Sequence, residues 1–293
     1  MKSRYITGAV YVLVLIALCA LKWLVPSGWG SLGFDAVFTA ISVLGTLELL
    51  RAIGGVNFIQ KVFTVAFSAV VVPLYVACQM AMGQGFLAVA VCGCIYAFAL
   101  AALNVFHHGE STLKGTATCY FAMLYCGVLS CMLSAVNHVK NNSMAAVLTL
   151  FLIVMLTDSF AFITGKLLGK YVPRKLAPSL SPNKTLIGAA GGVIGGMAGA
   201  VAAYFIYFGL GKVLDTPLIY SGALHPAVIF MLIGLVGSVF DQIGDLFESA
   251  IKRECNVKDM GKLLPGHGGV LDRFDSILFT SVIVLVSFGL IIS

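Results

Sequence analysis

Charge is what this chain has least of. Charged residues fill 10% of its 293 positions, hydrophobic ones 60%, and the mean hydropathy is +1.02, whereas soluble domains carry roughly a quarter charged residues. That shortage excludes a soluble globular protein. The net charge of +6, from 18 Lys and Arg against 12 Asp and Glu, does not indicate a nucleic-acid partner, because the basic residues are spread through loops between apolar runs. Long linkers, low-complexity tracts, internal repeats and a soluble domain are also missing. No CxxC pair occurs among the eight cysteines, and Cys92-x-Cys94 has the wrong spacing for a zinc knuckle or a redox pair. The cysteines lie almost all in apolar runs, where they act as small hydrophobes, and Cys255 is expected on a reducing, cytosolic side.

What is present is a series of apolar runs of about 20 residues, the length that crosses a hydrocarbon core. The first, Tyr5 to Val25, follows Lys2 and Arg4 and is too long for a signal-peptide core. Leu18 occupies the place before Cys19 where a lipoprotein site needs a small residue, so this run reads as a span. Further spans are expected at 32–50, 62–82, 86–106, 116–136, 144–164, 186–208, 225–251 and 274–293. The fold class is therefore all-α, a polytopic membrane protein of about nine transmembrane helices. Residues 1–143 read as a scaffold and 144–293 as a catalytic half with its site at the cytosolic face. With a cytosolic N-terminus, the outer side holds only Lys22, Lys140 and Lys212 of the 18 basic residues. This positive-inside bias sets the orientation and favours an odd number of spans. In span seven, Gly188, Gly192, Gly195, Gly196 and Gly199 recur at spacings of three and four, which points to close helix packing, with a substrate groove as the other reading.

Seven of the twelve acidic residues fall in one stretch, Asp241 to Ser276. Drawn as a helix that ends near Arg253, Asp241, Asp245, Glu248, Ser249 and Lys252 share one face, away from Ile243, Phe247, Ala250 and Ile251. A loop with Pro265-Gly266-His267-Gly268-Gly269 follows, and such glycine density lets backbone N–H groups approach an anion. A carboxylate within a span costs about 2.5–3.5 kcal/mol on insertion scales, so Asp241 and Asp245 should face the interior or a wet cavity. Carboxylates from two helix ends, Asp245 and Asp272, would repel unless a cation lay between them, and magnesium suits oxygen ligands beside phosphates. Alternatively, each pairs with a nearby Lys or Arg. Lys252, Arg253, Lys258 and Arg273 are either phosphate binders or positive-inside anchors, while Lys166, Lys170, Arg174 and Lys175 need only fix topology and attract anionic headgroups. His267 reads as a phosphate donor, a turn residue or a metal ligand. His107, His108 and His138 are assigned no chemistry. Ser181-Pro182-Asn183-Lys184-Thr185 reads as a capped helix start with Thr185 at the N-cap.

The run from Ser249 through Ile251-Lys252-Arg253, Lys258-Asp259, Gly261, Leu264-Pro265, His267-Gly268-Gly269 and Asp272-Arg273 to Asp275 resembles the signature of phosphatidate cytidylyltransferases, or CDP-diacylglycerol synthases. Asp158-Ser159-Phe160-Ala161-Phe162, Gly165-Lys166, Gly169-Lys170 and Ser181 to Thr185 look like that family too. The resemblance is strong over residues 155–276. One departure is Ile187, where the family usually has Glu, so another group must replace any contact made by that carboxylate.

The resemblance implies that CTP and phosphatidate give CDP-diacylglycerol and pyrophosphate at the face of a membrane bilayer. It implies magnesium held by Asp245 and Asp272, with a second cation left open. Lys252, Arg253, Lys258, His267 and Arg273 would bind phosphates. Ser181, Asn183, Lys184, Ser249, Gly268 and Gly269 would hold substrate. Asp158, Asp241, Glu248, Asp259 and Asp275 would orient these groups or assist the metal. The location implied is a bacterial cytoplasmic membrane, and a homodimer is compatible with it. A CTP-dependent polyprenol kinase and a transporter are the rival readings. Charges gathered at one face, without paired broken helices, count against transport, and the aspartate pattern of CDP-alcohol phosphotransferases is absent.

Overall fold

Repeated apolar runs, separated by short loops with capping residues, fold as helices that satisfy their own backbone groups, as a bilayer requires. The computed structural model describes residues 2–25, 29–107, 111–214, 218–263 and 268–292, with side chains described from residue 13 and not at 213 and 214. Helices α1 (Lys2–Leu24), α2 (Leu32–Ile53), α3 (Phe58–Met82) and α4 (Gly85–Phe106) come first. Helix α5 (Leu113–Ala122) continues through a π-helical turn, Met123–Val128, into α6 (Leu129–Asn137). Next is α7 (Ser143–Leu168), then an antiparallel hairpin of β1 (Lys175–Ala177) and β2 (Ser181–Thr185). Helices α8 (Leu186–Leu214), α9 (Pro226–Glu254) and α10 (Leu271–Leu290) complete the chain.

Among the described residues, eight helical segments are long and apolar enough to cross a membrane, and Leu13–Leu24 of α1 is a shorter apolar helix. The fold is an all-α polytopic membrane protein, with a count close to the nine expected. The side chains of Lys2 and Arg4, used in the topology argument, lie outside the described residues.

The chain divides into two units. The first comprises Met1–Ser134 and Cys255–Phe274, the second Ala135–Glu254 and Asp275–Ser293. Loop 255–274, assigned from sequence to the C-terminal half, thus packs with the N-terminal helices, for a reason given by Glu48 below.

In the first unit, buried hydroxyls and amides join neighbouring helices: Thr46 to Ser68 at 2.7 Å, Thr64 to Tyr96 at 2.8 Å, and Gln60 Nε2 to Thr116 Oγ1 at 3.0 Å. Such bonds supply cohesion where lipid removes the hydrophobic incentive for helices to associate. Helix α3 starts at a reciprocal capping box between Asn57 and Gln60 and ends at the left-handed Gly83.

In the second unit, α8 lies against α7 along its glycines. A Cβ at Gly188 would meet the Ala161 carbonyl at 2.9 Å, and one at Gly199 would fall on the Leu152 backbone. Close packing is therefore the role of this seam. Thr185 caps α8, its Oγ1 accepting from Gly188 N at 3.1 Å. Residues 181–185 lead into the helix as expected and also form β2, their backbone pairing with β1, Lys175 opposite Thr185 and Ala177 opposite Ser181.

Candidate active site

Helix α9 supplies the charged face of the second unit. Asp241 and Glu248 are fully buried, while Ile243 and Phe247 are 46% and 37% exposed, as the helical spacing predicts; Ile251, expected on the same side as those two, is instead buried. The Glu248 carboxylate pairs with Lys252 one turn on. Asp245 pairs with Lys184 at the end of the hairpin. Arg253 Nε reaches Leu180 O at 3.1 Å. Two cationic residues, one on each side, thereby fasten the hairpin to the end of α9. Lys184, expected to hold substrate, here neutralises Asp245; Asn183 is exposed, and Ser181 and Ser249 are partly exposed.

Asp241 differs from its neighbours. Neither carboxylate oxygen has a hydrogen-bond partner, and the charges acting on it come from Asp158, Asp275, Asp245 and Lys184. Lys252 acts on Asp275, which is 7% exposed. A buried carboxylate among three others, without hydrogen-bond partners, is stable as an anion only beside positive charge, and otherwise takes up a proton. Oxygen donors around an unsatisfied carboxylate fit a hard divalent cation. Among the described residues no three potential ligands already converge at metal-binding distance, so the carboxylates surround this position without chelating it.

The first unit contains the glycine loop. Asp272 Oδ2 accepts from Met260 N at 2.8 Å and Gly269 N at 2.7 Å, drawing together the two sides of the loop. Gly268 has a φ of +89°, which glycine adopts without strain. Lys258, Asp259 and Arg273 are exposed around it. His267, with Leu264 to Gly266 of the motif, lies outside the described residues.

The sequence reading missed Glu48, on α2. It is 5% exposed; its Oε1 accepts from Val270 N at 3.0 Å and its Oε2 from Leu271 N at 2.9 Å. A Cβ at Gly269 would meet that carboxylate at 2.5 Å, and one at Gly261 would strike it as well. The N–H groups of Met260, Gly269, Val270 and Leu271 are therefore taken by the chain's own carboxylates, and of the Pro265–Gly269 stretch expected to face an anion, Gly269 N is among them. The available signal was a lone glutamate inside an apolar span.

A cavity of about 360 Å³ lined by Tyr204, Phe208, Lys212, Leu218 and Tyr220 adjoins the C-terminal part of α8, whereas the hairpin and its ion pair adjoin the N-terminal end. It is not part of this charged centre.

A profile of the cytidylyltransferase family matches residues 2–291. The chain is 41% identical over 158 residues to a phosphatidate cytidylyltransferase of Bacillus subtilis (strain 168), covering 54% of this chain and 52% of that one. Identity is 36% over 183 residues to a protein of the same name from Staphylococcus haemolyticus (strain JCSC1435), and 35% over 185 residues to one from Staphylococcus aureus (strain COL); each match covers 62% of both chains. The matched part thus spans between half and two thirds of these relatives' lengths. With the family profile running from α1 to the end of α10 and the charged motifs placed on α9, the hairpin and the glycine loop, the chain belongs to the cytidylyltransferase family.

Proposed function

We propose that the chain transfers the cytidylyl group of CTP to phosphatidate. A phosphatidate oxygen bonds to the α-phosphorus, the bond from that phosphorus to the bridging oxygen breaks, and pyrophosphate leaves with the electron pair. The observation that carries this reading is membership of the family over residues 2–291, with relatives named phosphatidate cytidylyltransferase. The phosphatidate phosphomonoester, with a second pKa of about 6 as in other phosphomonoesters, is already largely dianionic near neutrality. It needs alignment and charge neutralisation more than a general base.

Lys258 and Arg273 are exposed beside the loop closed by Asp272, in positions suited to phosphate oxygens; His267 is proposed to join them. Arg253 and Lys252, at the end of α9, would balance charge near the hairpin, with Ser181, Asn183, Ser249, Gly268 and Gly269 contacting substrate. Magnesium is the proposed cofactor, with Asp241 and Asp245 holding it and Asp158 and Asp275 supporting them. Bound there, it would offset the phosphate charge that builds in the transition state. The Lys184 ammonium supplies the positive charge at Asp245 in its absence. Asp272, the other carboxylate that the family resemblance assigns to a metal, is tested below. The charge asymmetry of the loops supports a cytosolic face for the chemistry.

The deciding assay incubates purified protein with phosphatidate and CTP labelled at the α- or γ-phosphate, with and without EDTA. Entry of α-label into lipid, abolished by EDTA, is expected. Entry of γ-label instead would identify a lipid kinase and overturn the reading.

A further inference from the structure

Glu48 has no place in the reaction described above, yet it accepts two backbone N–H groups of the glycine loop, as many as Asp272 does. The carboxylate lies within α2, between residues far from the loop in sequence, and each of its oxygens accepts one backbone N–H at the start of α10. Both bonds are charge-assisted, and such bonds are roughly twice as strong as neutral ones. Together they satisfy donors that no helix can satisfy internally at its N-terminus. Glycines 261 and 269, on opposite sides of the loop, leave the room that this carboxylate occupies. Asp272 then accepts from Met260 N, next to Gly261, and from Gly269 N itself.

We infer that Glu48 is a positioning residue for cytidylyl transfer: it holds the Met260–Leu263 and Gly268–Arg273 segments so that Lys258 and Arg273 present their cations to the nucleotide phosphates. This rests on the cytidylyltransferase reading above. A buried acid that merely completed the packing of α2 would not require two glycines shaped around it on a separate segment. Here the loop is built on the carboxylate, and its backbone position follows from it.

Glu48→Gln keeps the volume but turns one acceptor into an N–H₂ donor facing a backbone N–H. The expected result is faster amide exchange confined to 260–263 and 268–273, with α2 and α3 as protected as in the wild type. KM for CTP should rise about tenfold while kcat stays within about threefold. Gly261→Ala attacks the same contact from the loop side and serves if Glu48→Gln does not fold; it should give the same pattern. The two changes combined should cost less than the product of the singles. Unchanged loop exchange and KM in Glu48→Gln would overturn the inference. So would loss of protection throughout α2 and α3 with an unaltered KM in the folded fraction, which marks a packing residue. If the wild type itself places no α-label in lipid, the cytidylyltransferase reading fails, and the exchange measurement alone then decides whether Glu48 holds the loop.

Discussion

Lys184 on β2 and Asp245 on α9 form an ion pair, joining residues that stand in separate motifs of the sequence. The pair places an ammonium where a bound cation would have to compete with it. Lys184→Gln should lower the maximal rate about tenfold or more, because an ammonium displaced from Asp245 by the ion would no longer be there for the substrate phosphates. It should also shift half-saturation by magnesium to lower concentration, since the competing charge is gone. A magnesium titration of both proteins checks the two signs; a shift to higher concentration would mean that Lys184 helps to hold the ion.

Asp241→Asn tests the unbonded carboxylate. Removing the charge of a buried acid that has no hydrogen-bond partner should leave the metal-free protein at least as stable as the wild type, while removing most of the activity. Thermal unfolding in EDTA, followed beside turnover, provides the measurement. Loss of stability together with activity would show that Asp241 is a structural acid.

The expectation that Asp245 and Asp272 serve one ion is open to a mutant cycle. Asp272 closes the loop through Met260 and Gly269. With Asp241 and Asp245 holding the ion, the losses of Asp245→Asn and Asp272→Asn should multiply in the double variant; a double variant scarcely worse than either single would return Asp272 to the metal.

Arg273→Lys should cost about tenfold or more in kcat/KM despite the retained charge, because bidentate phosphate recognition needs the planar guanidinium. Lys170, exposed with its ammonium 4.8 Å from the Tyr171 ring centre, should tolerate Gln with little effect. Equal losses at both positions would identify Arg273 as a topology anchor.

For orientation, a single cysteine placed at position 262, in a background without the native cysteines, should resist impermeant reagents in intact cells. Ready labelling from outside would reverse the assigned topology.

Local regularities were legible in advance. Hydropathy located the membrane helices, helical spacing put Asp241 and Glu248 on the buried side of α9 and Ile243 and Phe247 on the exposed side, and Thr185 was readable as the α8 cap. Glu48 was not readable, because its partners stand 222 and 223 residues away and periodicity carries no information at that range. The strand at Ser181–Thr185 was hidden for a related reason: capping chemistry at Thr185 is visible in a window of four residues, whereas the pairing of Lys175 with Thr185 is not. The destination of Gly269 N, which is Asp272, was not readable because glycine density announces a close approach without saying to what.

The glycine seam of α8 bears on how acyl chains travel. At Gly195 and Gly199 an added Cβ would strike backbone carbonyls of α7, so these two helices touch main chain to main chain. A hydrocarbon tail needs several ångströms of clearance, and none exists along this line. At these positions the α7–α8 seam is therefore closed to an acyl chain. Replacing either glycine with a larger residue would wedge the seam apart and should alter which lipids the protein accepts before it alters how it handles the nucleotide.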